Sequence, residues 1–211
     1  MSALGSSLFA PIYGVPTDGV SDCYAAITAL LAQIKAGTLT CRRIVFPWTG
    51  NGGYKTSAEI LVDFAPIHLH FEDSLIGTFA TPQNTLLFRG TNSYPSPLKG
   101  VQLTGNGLVK IDGNKAAITP YTHNPADTLY GSVLLKWVQD FFVSGIEFSN
   151  GLVNSFRTFQ SGNGLIDFCK FTGAGNDNGC SIDFDPGNYI ATDPSTWANI
   201  TVRRSRAWGN N

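Results

Sequence analysis

The chain has 211 residues, 43% of them hydrophobic, which supports one sizeable core and a single domain and argues against disorder. Only 14% of residues are charged and the net charge is −1, so nothing draws the chain toward phosphate backbones or anionic membranes, and nucleic acid is excluded as a partner. Glycine (23 residues) and aromatic side chains (12%) favour many short strands joined by tight turns over a helical bundle.

The opening MSALGSSLFAPIYG has neither a basic stretch nor a long apolar one. No apolar run approaches the roughly 18 residues that span a bilayer. Neither a signal peptide nor membrane insertion is expected. Residues 22–36 then place Ile27, Leu30, Leu31 and Ile34 on one face at helical spacing. This predicts a helix over 22–36, with Ser21 or Asp22 as N-cap and Gly37 as the stop. Asp18, in an Asp-Gly turn, and Asp22, at the helix start, read as structural rather than catalytic.

Beyond residue 41 the helical period does not recur. Strand-sized apolar stretches follow at 44–46, 67–71, 86–88, 101–103, 133–135, 146–148, 165–171 and 200–202. The pairs Asn51-Gly52, Asn106-Gly107, Asn150-Gly151, Asn163-Gly164 and Asn178-Gly179 lie between them and tolerate the positive φ of a sharp bend. Antiparallel hairpins would also use such pairs. Register argues for a solenoid, because residues 141–151 overlay 164–175 with Phe148 on Phe171, a shift of 23 (171 − 148). A third copy, 198–209, puts Ala207 at the same place after 36 residues (207 − 171). The excess of 13 (36 − 23) matches a surface loop at 186–198, as a solenoid allows.

The string YGVPTDGVSDCYAAITALLAQ, then RRIVFPWTGNGGYKT, then IHLHFEDSLIG, resembles the opening of the pectate-lyase-like superfamily of right-handed parallel β-helices. Cys23, Tyr24 and Trp48 depart from its usual residues without disturbing the helix. The resemblance implies an all-β, single-stranded right-handed β-helix with an N-terminal capping α-helix. One domain over 1–211 is expected, with the cap at 13–40 and coils at 41–211 that stop in mid-solenoid. A helix laid across the end of such a stack covers open backbone groups and core.

Among its members the chain looks most like a bacteriophage tailspike depolymerase. That likeness implies a homotrimer on the virion tail, attached to tail or baseplate proteins. Such a protein acts at the host cell surface on capsular or O-antigen polysaccharide. A bacterial polysaccharide lyase or epimerase, and a non-catalytic glycan-binding or structural spike, are the alternatives, since fold leaves the reaction open. The Asn-Thr-Asp, Asp-Asp, Gly-His-Gly and Arg-Ile-Lys motifs of the polygalacturonase type do not occur here.

Glycan hydrolysis uses two carboxylates, roughly 5–5.5 Å apart for retention or about 6.5–9.5 Å for inversion. In CSIDFD (180–185), inward Cys180, Ile182 and Phe184 would leave Ser181, Asp183 and Asp185 outward on one face, successive outward residues about 6.5–7 Å apart. Asp183 and Asp185 are therefore the candidate catalytic pair, weighed against simple solvated charges. Arg157, on the coil below, and Tyr189 and Trp197, in the long loop, are candidate substrate-binding residues. Glu147 and Asp167 are secondary candidates that occupy different columns, Glu147 aligning with Lys170.

The remaining features carry bland readings. His68 and His70 share a face without a third metal ligand, so an exposed coil face is expected and no metal or cofactor. TGNG (104–107) lacks the lysine of a phosphate loop and reads as a strand turn. Arg203, Arg204 and Arg206 fit an acidic glycan, a neighbouring subunit or a solvated face. Cys23, Cys41, Cys169 and Cys180 show no CxxC spacing and are expected to be buried free thiols.

Overall fold

The structure is a computed structural model that describes residues 7–91, 96–118, 130–173, 181–185 and 199–208. Among the described residues the strands form two parallel sheets, one 12-stranded and one 5-stranded. Along the larger sheet the neighbours are Ser7–Phe9, Arg43–Phe46, Ile67–Phe71, Val101–Asp112, Val138–Ser149, Gly162–Asp167 and Ile200–Arg203, in chain order. Strands Ile60–Val62, Leu86–Arg89, Gly131–Lys136, Asn154–Phe159 and Ile182–Asp185 line up in the same way in the smaller one. Chain order equals spatial order because each coil lays one strand in each sheet and then rises by one strand spacing. This is a parallel β-helix.

Stacked side chains hold it together. Leu8, Ile44, Leu69, Leu103, Val143, Ile166 and Val202 form one inward column in unbroken register. Tyr54, Leu75, Ile111, Phe148, Phe171 and Ala207 form a second. The smaller sheet contributes Ile60, Leu86, Val133, Phe156 and Ile182. Nearly all are buried until the last described coil, where Val202 is exposed. The overlay of Phe148, Phe171 and Ala207 read from sequence is the register observed.

The helix spans Tyr24–Lys35, two residues later than its pattern suggests. Cys23 takes the N-cap position without a side-chain bond, and Asp22 Oδ1 accepts from the Tyr24 amide from one place further out. Asp22 also receives the Ser57 amide, tying the helix start to the first coil. Burial works to raise its carboxyl, but these bonds outweigh it and the group lies below its ordinary value. Asp18 closes its turn by accepting from the Val20 and Ser21 amides. Ile27, Leu30, Leu31 and Ile34 are buried into the main core, and Gly37 ends the helix at φ +77°. The helix is the lid of the stack.

Left-handed residues, some between strands and some bending a strand within its length, recur in register from coil to coil. Asp140 and Asn163 make one such pair, Trp137 and Gln160 another, and Gly145, Phe168 and Arg204 a third series. Phe168 splits the predicted 165–171 strand in two, because the chain must turn there to follow the coil. Cys23 and Cys169 are buried, and burial pushes both thiols up to about 11. Cys41 is only partly buried, a departure from the expectation, and Cys180 lies outside the described residues.

Candidate functional site

On the smaller sheet, residues between inward positions point outward, and one outward row reads Leu61, Leu87, Leu134, Arg157 and Asp183. The first part of the row is apolar, with Leu87 and Leu134 buried. The last two members carry charge. Arg157 therefore sits at the edge of an apolar stripe, its side chain only 8% exposed. Ile182 and Phe184 stand in register over Phe156 and Thr158, and Asp183 and Asp185 over Arg157 and Phe159; Phe184, expected inward, is exposed, whereas both acids are partly buried.

Both carboxylates converge on the same guanidinium. Arg157 Nε is 3.1 Å from Asp183 Oδ2, and Nη2 donates to Asp185 Oδ2. The Nε contact is ionic without hydrogen-bond alignment, leaving Nε as the buried side-chain polar atom without a hydrogen bond among the described residues. An unsatisfied buried donor beside two acids is uncommon and marks a strained or functional position. Asn154 Nδ2 makes a long 3.5 Å contact to Asp183 Oδ2.

Burial pushes the Asp183 carboxyl above its ordinary value; Arg157 pulls it back and Asp185 adds to the rise. The net direction is upward although a cation lies 3.1 Å away, because desolvation penalises the charged form more than one poorly aligned ion pair relieves it. The arrangement thus offers one carboxyl biased toward holding a proton and a second one gripped by a permanent cation.

The structure brings together Asp183, Asp185 and Arg157. Tyr189 and Trp197 lie outside the described residues. Arg157, expected to face substrate, is instead buried between the two acids. Ser181 is buried rather than outward, and its Oγ donates to the Trp208 carbonyl. Glu147 receives Lys110 at 3.2 Å and stands over Lys170, whereas Asp167 pairs with Arg203 and Arg204 from a different column. Both are therefore ion-paired, and Asp167 engages two arginines of the basic cluster.

The two histidines are half-buried rather than exposed. His68 Nε2 and His70 Nδ1 share the Thr104 hydroxyl at 2.7 and 2.8 Å. Burial, then Arg43 and His70, bring His68 down to about 4, leaving it neutral at pH 7. What sequence reading missed is a cationic row on the same face as the acids, Arg89 and Lys136, which continues through Phe159 to Asp185. Its members come from strands far apart in the chain, so only the coil register exposes it.

Several solved structures are similar to the chain. A candidate glycosyl hydrolase from Parabacteroides merdae superposes with a TM-score of 0.66 at 14% identity, covering 95% of this chain and 92% of that one. The family 28 exopolygalacturonase of Yersinia enterocolitica gives 0.62 at 15% identity over 87% of this chain and 42% of its own. The chain has the fold of the pectate-lyase-like parallel β-helices. The Dettilon tailspike protein shares this β-helix with a TM-score of 0.58 at 12% identity, over 94% of this chain and 38% of the tailspike. The β-helix described here thus spans less than half the length of the last two. No protein-family model matches its sequence, and no curated protein does. No described helix is long and apolar enough to cross a membrane.

Proposed function

We propose that this β-helix belongs to a tailspike-type depolymerase that binds bacterial capsular or O-antigen polysaccharide and hydrolyses it. Asp183 is the general acid and Asp185 the base or nucleophile. The observation that carries this reading is two adjacent outward carboxylates sharing one buried guanidinium, with Asp183 biased toward its protonated form. Arg157 is a positioning residue, set between the two acids and contacting both. The similarity to a tailspike and to two glycosidase-type structures supports the substrate class. A homotrimer on a phage tail belongs to the same reading, and sedimentation equilibrium of the protein tests it.

The chemical test is mass spectrometry of products from purified host-surface glycans. Native protein releases oligosaccharides with new reducing ends. Asp183→Asn and Asp185→Asn each lower the rate by about 10²–10⁴-fold, the usual worth of a general acid or base. Full activity in both variants rejects the assignment. Unsaturated uronate in the products would identify a lyase.

A second reading, a spike that binds glycan without cutting it, is favoured by one fact: both acids are already engaged by Arg157. Binding by native protein with no product from any glycan selects it.

A further inference from the structure

A cleft of about 600 Å³ lies on the outer side of the smaller sheet, lined by Lys35, Asp63, Arg89, Thr91, Lys136 and Trp137. Lys35 is neutralised there by Asp63 at 2.7 Å. Arg89 and Lys136 are not: they stand opposite each other in register, and among the described residues neither has a carboxylate partner. Like charges directly opposite on a sheet destabilise it. Burial, and then Arg89, hold the Lys136 ammonium below its ordinary value.

Lys136 is also not a freely moving surface lysine. Its Nζ rests 4.5 Å from the centre of the Trp137 ring and 5.6 Å from that of Phe159. Cation–π attraction to two rings fixes where the charge stands. Trp137 is in turn held by a 2.8 Å bond from its indole nitrogen to Gln160 Oε1 on the next coil. Arg89 and Lys136 rise from strands one spacing of about 4.8 Å apart, Lys136 is pinned, and the carboxylate lining the described part of the cleft, Asp63, is already taken by Lys35.

We propose that this cleft is a subsite for an anionic sugar, with Arg89 and Lys136 receiving a carboxylate, sulfate or phosphate substituent of a glycan. The glycan then runs up the outward column over Phe159 toward Asp185, which is two strand spacings, about 10 Å, beyond Lys136. This direction rests on the reading that Asp183 and Asp185 act on glycan, but occupancy of the cleft does not.

Isothermal titration calorimetry of the whole chain with tetragalacturonate, hyaluronan tetrasaccharide and a sulfated chondroitin tetrasaccharide tests it, each against its carboxyl-reduced counterpart, desulfated as well in the case of chondroitin. At least one anionic probe binds about tenfold more tightly than its neutral counterpart. The double variant Arg89→Gln/Lys136→Gln loses that preference while its thermal melt stays near that of native protein. Lys136→Arg, which keeps the charge, retains it and guards against a folding artefact. Equal binding of every anionic and neutral pair, or an unchanged preference in the double variant, overturns the proposal. Asp183→Asn separates the two readings: if it cleaves at the native rate while the anionic preference persists, the catalytic assignment of Asp183 fails and the subsite stands.

Discussion

Burial and a neighbouring cation act on Asp183 in opposite senses, and burial wins. The folded state therefore holds this proton more tightly than the unfolded chain does. The stability it contributes is complete below the unfolded value of 3.8 and is lost as pH rises through the higher folded value. Asp183→Asn, which is always neutral and still bonds Arg157, melts at a higher temperature than native protein at pH 7. The difference closes as pH falls toward about 4. Asp18 and Asp22, held below their ordinary values, weaken both proteins alike on acidification and cancel in the comparison. Calorimetric melts across that range decide it, and a gap that widens with acid contradicts the argument. Removing the cation instead takes from Asp183 and Asp185 the guanidinium they share, so Arg157→Gln costs about 1–3 kcal/mol at neutral pH and less in acid. That Asp183 and Asp185 stand two apart on one strand was legible, although Phe184 between them is exposed rather than inward. Their shared grip on Arg157 was not, because Phe156 meets Ile182 after 26 residues (182 − 156) rather than 23, and no sequence feature announces that loop length.

At the scale of single elements, strands and helix were readable where apolar period was strong, as at Ile67–Phe71, and unreadable where strands were three residues long, as at Tyr54–Thr56 and Leu75–Gly77. Corners were half legible. Asn150 and Asn163 take positive φ as Asn-Gly pairs suggest, but Trp137, Gln160, Phe168 and Arg204 do so as well, imposed by coil geometry against their own preference. This separates backbone strain from contact loss. Asn163 is exposed and turns the chain at φ 51°, so Asn163→Val costs about 1–2 kcal/mol through strain alone. Asn163→Gly is close to neutral, since glycine takes that conformation freely at an entropic cost of similar size to the strain it relieves. Urea unfolding of the two variants measures this. Equal losses would show that the asparagine side chain, and not the corner, supplies the stability.

A stack of coils distributes its energy differently from a rounded core, because each coil touches only the coils above and below. Phe148 and Phe171 are stacked neighbours, their rings 5.5 Å apart and 14° from parallel. Leu30 sits in the helical lid, which packs against the Ile60–Val62 strand of the first coil, and the adjoining Tyr54 column passes through Leu75 and Ile111 before it reaches Phe148 three strand spacings on. At about 4.8 Å per coil this separation exceeds 10 Å, beyond the range at which substitutions usually couple. Leu30→Ala removes a fully buried side chain and costs about 2–5 kcal/mol. Combined with Phe148→Leu, it adds within about 0.5 kcal/mol. Phe148→Leu with Phe171→Leu departs from additivity by about 0.5–1.5 kcal/mol, the interaction of one stacked aromatic pair. Denaturant midpoints of the six proteins, native included, complete both cycles. Coupling between Leu30 and Phe148 as large as that between the stacked rings would mean that lid and coils share one undivided core, and the ladder of nearest-neighbour contacts that positions Arg157, Asp183 and Asp185 would no longer account for the stability of the molecule.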